Sequence, residues 1–255
     1  MGAARLKATN QLREGAGLPR LTRLADAWLD YLTLVTTIPE LDSAAETADS
    51  SVHYLGPIFE TLRDDPWASP WPLDDDRPLV LVSFSTTGLW DQSGRIQNTL
   101  EGLADEPVRV LVSASRAMDL GPIPGNARIG SFVPHQKVLR DAALTVTHAG
   151  HGTVAASLAH GVPIVALPNQ AADQPFLAAR VQQLGAGLAL DGEAGPAEIR
   201  EGARAVMTQS SYARAAAKLA LVIRAAPGVD GAVFELERLT AVASPSGRRP
   251  RERSR

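Results

Sequence analysis

The sequence contains no cysteine among its 255 residues, which excludes disulfides, thiolate metal sites and cysteine nucleophiles. It has no apolar run near the roughly 20 residues that a membrane-spanning helix requires, and residues 1–11 lack the apolar core of a secretory signal. Basic residues are not in excess, because the net charge is -3, so nothing indicates a nucleic-acid partner. We therefore expect a cytoplasmic protein with no transmembrane segment.

The remaining composition, with 45% hydrophobic and 21% charged residues, is that of an ordinary globular protein. Residues 1–76 contain short amphipathic pieces followed by a segment rich in Pro, Asp and Trp. From residue 77 to about 190, strand-like apolar runs alternate with helical patterns, and a helical stretch continues to about 243. Residues 244–255 are mainly Ser, Pro and Arg, which predicts a disordered basic tail.

The middle region predicts a parallel sheet, because its apolar runs are short and nearly continuous, as in strands covered on both faces. The predicted strands are 79–82, 108–112, 129–133, 144–147, 163–167 and 187–190. The predicted helices between them are 92–103, 153–160 and 174–184. This alternation indicates an α/β fold with a doubly wound parallel sheet, whose ligand lies outside the carboxyl ends of the strands.

The turn from His148 to Thr153 follows a predicted strand and precedes a predicted helix. Its glycines let the backbone approach a ligand closely, and the first N–H groups of the helix have no partner within it. An anion such as a diphosphate binds well at such a helix start. A plain strand-to-helix turn with Thr153 as N-cap explains the same residues, and short glycine motifs alone do not decide between the two.

Three further segments extend this turn into a longer ordered motif: Phe132-Val-Pro-His135, Gly161-Val-Pro-Ile-Val-Ala-Leu-Pro168 and Asp173-Gln174. Together they resemble the donor-binding signature of nucleotide-sugar glycosyltransferases of the GT-B fold. That large family includes plant UDP-glycosyltransferases and actinobacterial macrolide and glycolipid glycosyltransferases. The resemblance implies a Rossmann-like C-terminal donor domain at 77–243, after an interdomain linker at 57–76.

The resemblance also implies that residues 1–56 are a helical remnant of the N-terminal acceptor domain. We expect helices near 21–34, and a C-terminal helix around Val233 to Leu239, that lack the domain they normally contact. Such apolar faces predict a partner protein, self-association or poor solubility. The family's catalytic histidine, the general base for the acceptor hydroxyl, has no counterpart in residues 1–76. We expect His53, the one histidine there, to be exposed.

By resemblance, ten residues would bind the donor. An aromatic would stack on the base, backbone and side-chain groups beside it would contact the base or ribose, a histidine and the helix start would bind the diphosphate, and an Asp-Gln pair would hold the sugar hydroxyls. The aromatic is Phe132, and the groups beside it belong to Val133 and His135. The diphosphate residues are Thr86, His148, Gly150, Gly152 and Thr153, and the Asp-Gln pair is Asp173 and Gln174.

Two of these positions have a structural alternative. Phe132 could be a strand residue that faces the core. Asp173 could cap a helix whose first turn contains Pro175, although a capping carboxylate retains a free oxygen for a ligand.

Three residues depart from the family pattern. His135 stands where the family has Gln, Ala156 where many relatives have a Glu that grips the ribose diol, and Leu177 where an Asn is common. The loss of the ribose contact is compatible with a deoxyribose donor such as a dTDP-sugar, so both UDP and dTDP remain open. None of the three changes affects the predicted phosphate site.

We therefore expect a glycosyltransferase donor domain for inverting, metal-independent transfer to a small-molecule or lipid acceptor. It would need no cofactor and would use an acceptor domain from another chain. A non-catalytic nucleotide-sugar-binding remnant and a GT-B-like epimerase are alternatives. A metal-dependent transferase would use spaced aspartates, but Asp74-Asp75-Asp76 precedes the first strand of the donor domain and is interpreted as solvated charge.

Overall fold

The computed structural model describes residues 2–28, 32–59, 67–84, 91–114, 120–170 and 173–243. The strands in these ranges are β1 (Thr33–Val35), β2 (Val52–Tyr54), β3 (Leu79–Ser83), β4 (Arg109–Ser113), β5 (Ala127–Gly130), β6 (Ala142–Thr147), β7 (Ile164–Ala166) and β8 (Gly187–Ala189). The helices are α1 (Gly2–Gly15), α2 (Ser93–Leu103), α3 (His135–Val138), α4 (His151–Ala159), α5 (Gln174–Gln183), α6 (Pro196–Thr208), α7 (Ser210–Ala225) and α8 (Gly228–Ala243).

The central sheet contains six strands in the order β5-β4-β3-β6-β7-β8, and every pair in it is parallel. The chain runs outward from β3 to β5 and then returns to begin the other half at β6. The strand order therefore reverses between β3 and β6, where Ser83 pairs with Thr147. A crevice at such a switch point is the usual ligand site of a doubly wound sheet.

Each strand of this sheet is buried because helices cover both of its faces. On β3, Val80 and Val82 pack in a cluster with residues of α2 and α6. The alternate residue Leu81 packs in a cluster on the other face, beside α3 and α4. Since successive side chains on a strand point to opposite faces, the residues that point to either face of β3 must all be apolar.

The predicted fold class is confirmed, as are the six predicted strands of the sheet and the three predicted helices, with small shifts at their ends. The largest shift is in β5, which occupies Ala127–Gly130 rather than 129–133, because its pairing with β4 ends where Ser113 meets Gly130. Val133 lies beyond the strand but is still buried, which explains why the apolar run extended to it.

The predicted helices near 21–34 are wrong. In the described part of this segment, which omits 29–31, the one element before β1 is a short 3-10 turn at Leu24–Trp28. β1 pairs in parallel with β2, with Thr33 opposite Val52 and Val35 opposite Tyr54. The β-branched and aromatic residues of both segments favour a strand over a helix, and this tertiary pairing overrides the helical pattern.

The segment around β1 and β2 packs directly on the α/β domain. Ile38 and Leu41 are buried in the same cluster as residues of α4, α5 and α7, and Arg180 Nε of α5 donates to the carbonyl oxygen of Glu40 at 2.6 Å. His53 is not exposed as predicted, because its Nδ1 lies 3.1 Å from Glu235 of α8 and its side chain is 29% accessible. The N-terminal segment therefore packs against helices of the later half of the C-terminal region.

In the part of the chain that the structure describes, no helix combines the length and apolar character needed to cross a membrane. The predicted basic tail, 244–255, lies outside the described residues.

Candidate functional site

The turn after β6 forms the centre of the site. Gly150 is the N-cap of α4, which begins at His151, so the alternative in which Thr153 caps the helix is wrong. Ala149 is fully buried and has a φ of 63°, a left-handed conformation that residues other than glycine rarely adopt. Strained backbone of this kind persists where the surroundings hold it, and it is concentrated at functional sites.

His148 lies buried at the carboxyl end of β6, with 8% of its surface exposed. Its ring stacks on Phe84, which follows β3, with centroids 6.2 Å apart. A Cβ added at Gly150 would lie 2.5 Å from His148 Nε2, closer than any side chain allows. Gly150 is therefore needed to leave room for the imidazole beside the start of α4.

Burial lowers the pKa of His148, and the nearby positive charge of Arg95 lowers it further. A hydrogen bond with the backbone of Ser83 and the charge of Asp173 act in the opposite direction without reversing the shift. His148 is thus a neutral imidazole near pH 7. In that state one ring nitrogen donates a hydrogen bond and the other accepts one.

The start of α4 provides further donors beside His148. The first hydrogen bond within the helix runs from the Val154 N–H to the Gly150 carbonyl oxygen at 3.0 Å. The N–H groups of His151, Gly152 and Thr153 precede it and have no helical acceptor. A Cβ added at Gly152 would meet no atom within 4 Å, so the space above this turn is open. An anion placed there would gain these N–H bonds.

The segment after β5 places an aromatic side chain in solvent. Phe132 is 74% exposed, so the alternative in which it faces the core is wrong, and the ring is free to stack on a planar ligand. Val133 is buried in a cluster with Val138 and Leu139, which leaves its backbone as the group that can contact a ligand.

His135 begins α3, and burial lowers its pKa. Its Nε2 is buried and meets no hydrogen-bond partner among the described residues. Since a buried polar atom usually has a partner, this nitrogen is a candidate contact for a ligand. Whether it replaces the family's Gln in binding the base or ribose stays a prediction.

The loop after β7 leads to the start of α5. Asp173 occupies the N-cap position, but its side chain makes no capping hydrogen bond, so the capping alternative is wrong and the carboxylate is available to a ligand. Gln174 is 6% exposed, and its Oε1 accepts a hydrogen bond from the Asn169 N–H at 3.0 Å. Its amide NH2 group is therefore left as a donor.

Thr86, the remaining predicted donor contact, lies outside the described residues. Of the two apolar departures, Ala156 is buried in the cluster that contains Val133, and Leu177 is buried against α4 and α7. Neither is placed to contact a ligand through a polar group.

Sequence reasoning missed a polar network beside His148, centred on Arg95 of α2. The guanidinium donates to side-chain oxygens of Gln92 and Asn169 and to the carbonyl oxygen of Gly192. Gln92 and Asn169 are 1% and 4% exposed. One feature of the sequence could have indicated this network. Gln92 and Asn169 are polar residues that follow the predicted carboxyl ends of strands.

A cavity of about 380 Å³ lies between α5 and the N-terminal segment. Its lining includes Asp42, His151, Asp173 and Phe176, and the Phe176 ring is 77% exposed. The cavity reaches Asp173, so a second molecule can approach the same end of the site. Among the described residues, no three His, Cys, Asp or Glu side chains are grouped as metal ligands.

One of the three aspartates before β3, Asp75, is engaged in local charge pairing. Asp75 pairs with Arg77 at 2.7 Å, and hydrogen bonds from Arg77 lower the pKa of Asp75 to about 2. The metal independence predicted from the sequence stays a prediction.

The strand order arranges these groups along one edge of the sheet. Phe132 follows β5, His148 follows β6 and Asp173 follows β7, and three inter-strand spacings separate β5 from β6. At about 4.8 Å each, these amount to about 14 Å, the length scale of an extended nucleoside diphosphate. The edge thus presents an exposed aromatic, then the start of α4 with its free N–H groups, then the polar side chains of Asp173 and Gln174.

Comparisons with known proteins identify the family to which the chain belongs. The family described as erythromycin biosynthesis protein CIII-like, C-terminal domain, matches residues 97–239, which is more than half of the chain. A demethyllactenocin mycarosyltransferase from Streptomyces fradiae is 32% identical over 206 residues, which are 79% of this chain and 44% of the relative.

Two solved structures share the fold. CalG4, the calicheamicin glycosyltransferase, is 26% identical with a TM-score of 0.78 over 94% of this chain and 61% of its own. The glycosyltransferase VinC, solved in complex with DTDP, is 25% identical with a TM-score of 0.59 over 74% of this chain and 46% of its own. The chain spans about half the length of the curated relatives it matches. It belongs to the family of erythromycin biosynthesis protein CIII-like C-terminal domains, and its sheet is the C-terminal half of a GT-B glycosyltransferase fold.

Proposed function

We propose that the chain is the donor-binding half of a glycosyltransferase and binds a nucleotide-diphospho-sugar. The observation that supports this most strongly is the order along the sheet edge, where exposed Phe132 follows β5, His148 and the start of α4 follow β6, and Asp173 precedes α5. A base, a diphosphate and a sugar follow one another in the same order in the ligand.

In this proposal the base stacks on Phe132 and the diphosphate lies over the start of α4. The negative charge of the diphosphate favours the protonated form of His148, which donates one hydrogen bond to a phosphate oxygen and keeps the other for the Ser83 backbone. The N–H groups around Gly152 and Thr153 donate others. Asp173 accepts hydrogen bonds from sugar hydroxyls, and the Gln174 NH2 group donates to a sugar oxygen.

The reaction is an inverting displacement. The acceptor oxygen attacks the anomeric carbon, the bond from that carbon to the diphosphate oxygen breaks, and the acceptor proton passes to a general base on an acceptor domain from another chain. Negative charge accumulates on the leaving diphosphate, where donors aimed at the developing charge lower the barrier most. The contribution of this chain is therefore to stabilise the leaving group and orient the sugar.

The acceptor is a small molecule or a lipid, and the donor nucleotide is UDP or dTDP. Two observations support dTDP: Ala156 replaces the glutamate that grips the ribose diol in many relatives, and VinC was solved with DTDP. Transfer requires no metal or cofactor in this proposal.

Transfer assays test the proposal. The purified chain is incubated with dTDP- and UDP-sugars, alone and together with a separately produced acceptor domain of this family, with and without a chelator. We expect glycosylated product with the opposite anomeric configuration, only when the acceptor domain is present, and at an unchanged rate in the chelator. Transfer by the chain alone would contradict the need for a partner, and loss of transfer in chelator would contradict metal independence.

Two outcomes would favour the other functions. An epimerised nucleotide-sugar formed without any acceptor would identify an epimerase. Nucleotide-sugar binding without turnover in every combination would identify a non-catalytic binding protein.

A further inference from the structure

Arg95 joins three loops at the carboxyl edge of the sheet. Its Nη1 donates to Gln92 Oε1 at 3.3 Å and to Asn169 Oδ1, and its Nε donates to the Gly192 carbonyl oxygen at 2.6 Å. Its Nη2 pairs with Glu193. The contacts belong to the start of α2, the β7–α5 loop and the β8–α6 loop, so one guanidinium holds all three together.

This arrangement is not a surface ion pair. The Arg95 side chain is only 14% exposed, whereas the partner Glu193 is 82% exposed. Arg95 is needed for its rigid, planar set of donors, since it meets four acceptors through three nitrogens, whereas a lysine ammonium has three donors on a single nitrogen. A Cβ on Gly192 would lie 2.1 Å from the Pro168 carbonyl oxygen, so the two loops that Arg95 joins are also packed backbone to backbone.

The network continues from Arg95 to the predicted sugar-binding pair. Asn169 accepts from Arg95 through its side chain and donates its backbone N–H to Gln174 Oε1 at 3.0 Å. The second bond fixes which end of the Gln174 amide is available, because the oxygen is engaged and the NH2 group is left over. The orientation of Gln174 therefore depends on the position of Asn169, and that position depends on Arg95.

The same contacts leave two buried donors unused. With their oxygens directed at Arg95, the Gln92 Nε2 and Asn169 Nδ2 groups are buried and meet no acceptor among the described residues. A buried donor without a partner destabilises a fold, and a native protein that retains two of them beside one cation requires an explanation. Apolar side chains at 92 and 169 would stabilise the fold more than these two polar ones.

We propose that Arg95 is a positioning residue for donor-sugar recognition, acting through Asn169 on Gln174. This inference rests on the proposed function, because it assigns a role within the same donor site. Arg95 does not contact the nucleotide half of the ligand, which lies against Phe132, His148 and the start of α4. Its loss should therefore weaken binding of the sugar far more than binding of the nucleotide.

The test compares two ligand classes on the full chain by calorimetry: UDP and dTDP, then UDP-glucose and dTDP-glucose. In Arg95→Gln we expect affinity for the nucleotide-sugar to fall about tenfold, the effect of losing one well-placed hydrogen bond. We expect affinity for the nucleotide diphosphate to change by less than about threefold, because in this proposal the hydrogen bonds of Arg95 support only the sugar-binding pair. Equal losses for both ligands, or no loss for either, would overturn the proposal.

Three further variants separate geometry from charge and from folding. Asn169→Ala should reproduce the effect of Arg95→Gln, and the double variant should add little to either single one, since both residues act through one path. Arg95→Lys keeps the charge but not the geometry, so it should also weaken sugar binding. In a histidine NMR titration, Arg95→Gln should raise the pKa of His148 and Arg95→Lys should not. Additive losses in the double variant would contradict the relay.

Arg204→Gln is the matched control, because Arg204 makes a two-pronged contact with Glu106 on the far side of α6 and should leave both affinities unchanged. Failure of the inference is distinguishable from failure of the proposed function. If the wild-type chain binds no nucleotide, both the proposed function and the inference are contradicted. If the wild type prefers nucleotide-sugars and Arg95→Gln and Asn169→Ala keep that preference, only the inference is contradicted. A wild-type chain that binds the nucleotide but gains nothing from the sugar also overturns it.

Discussion

The His148 ring fits beside the start of α4 because Gly150 carries a hydrogen atom where other residues carry a Cβ. Because Gly150 has an ordinary φ of -64°, its substitution by alanine tests this contact and not backbone strain. The added Cβ would lie 2.5 Å from Nε2 and must displace the imidazole or the turn. The spacing of the motif identified both residues from the sequence. That His148 needs a glycine at 150 depends on side-chain packing, which the spacing of a motif does not describe.

We predict that Gly150→Ala costs about 1–3 kcal/mol of folding free energy, the usual cost of overpacking, and weakens nucleotide binding at least tenfold. Chemical denaturation and calorimetry measure the two effects. Gly94→Ala is the matched control, since a Cβ there meets no atom within 4 Å, and it should be neutral or slightly stabilising in helix α2. An unchanged nucleotide affinity in Gly150→Ala would contradict the placement of His148 in the site.

The two site histidines predict a pH dependence of stability. Burial lowers the pKa of both His135 and His148, so below pH about 6.5, the ordinary value, the unfolded chain binds more protons than the folded one. Their contribution is complete above that pH and is lost as the pH falls through their folded pKa values. We predict that the free energy of unfolding decreases as the pH falls below about 6.5, and less steeply in His148→Gln. Equal slopes in both proteins would contradict the buried neutral imidazole.

At the scale of elements, the strands of the sheet were predictable because residues such as Val80, Leu81 and Val82 form apolar runs that suit burial on two faces. The segment near 21–34 was not, since β1 becomes a strand only by pairing with β2 some 20 residues later. The Arg95 network could not be predicted from the sequence either, because its hydrogen bonds to Asn169 and Gly192 join residues 74 and 97 positions apart.

The pairing of β7 with β8 depends on a second close approach. A Cβ on Gly187 would lie 2.1 Å from the Ile164 carbonyl oxygen, and a backbone oxygen cannot move aside as a flexible side chain can. We predict that Gly187→Ala destabilises the fold by about 3 kcal/mol, at the upper end of overpacking costs, as measured by urea denaturation. Gly125→Ala, where the space is open, should change stability by less than about 0.5 kcal/mol. A similar small change in Gly187→Ala would contradict the observed spacing.

At the scale of the whole molecule, α8 presents apolar side chains to solvent. Val229, Val233 and Leu236 are 54%, 47% and 53% exposed, and their spacing of four and three residues places them on one face of the helix. His53 Nδ1 lies 3.1 Å from Glu235 Oε1, a contact between α8 and the N-terminal segment. The sequence predicted this apolar helix, and a partner for it stays a prediction.

We predict that Val233→Glu combined with Leu236→Glu lowers concentration-dependent self-association, measured by light scattering, with little effect on the free energy of unfolding. Contiguous apolar patches promote association, whereas single exposed residues do not. Leu221→Glu is the comparison, because Leu221 is 64% exposed on α7 and should change neither property. Equal association in the double variant and the wild type would contradict a role for this face.

The central claim, that the switch-point edge binds a nucleoside diphosphate, is tested most directly by calorimetric titration. Wild-type chain and His148→Ala are each titrated with UDP, dTDP and GDP, after circular dichroism has shown that both are folded. We predict that the wild type binds dTDP or UDP in preference to GDP, and that His148→Ala loses at least tenfold in affinity. Absence of binding to all three nucleotides by the folded wild type, or equal binding by the variant, would contradict the account.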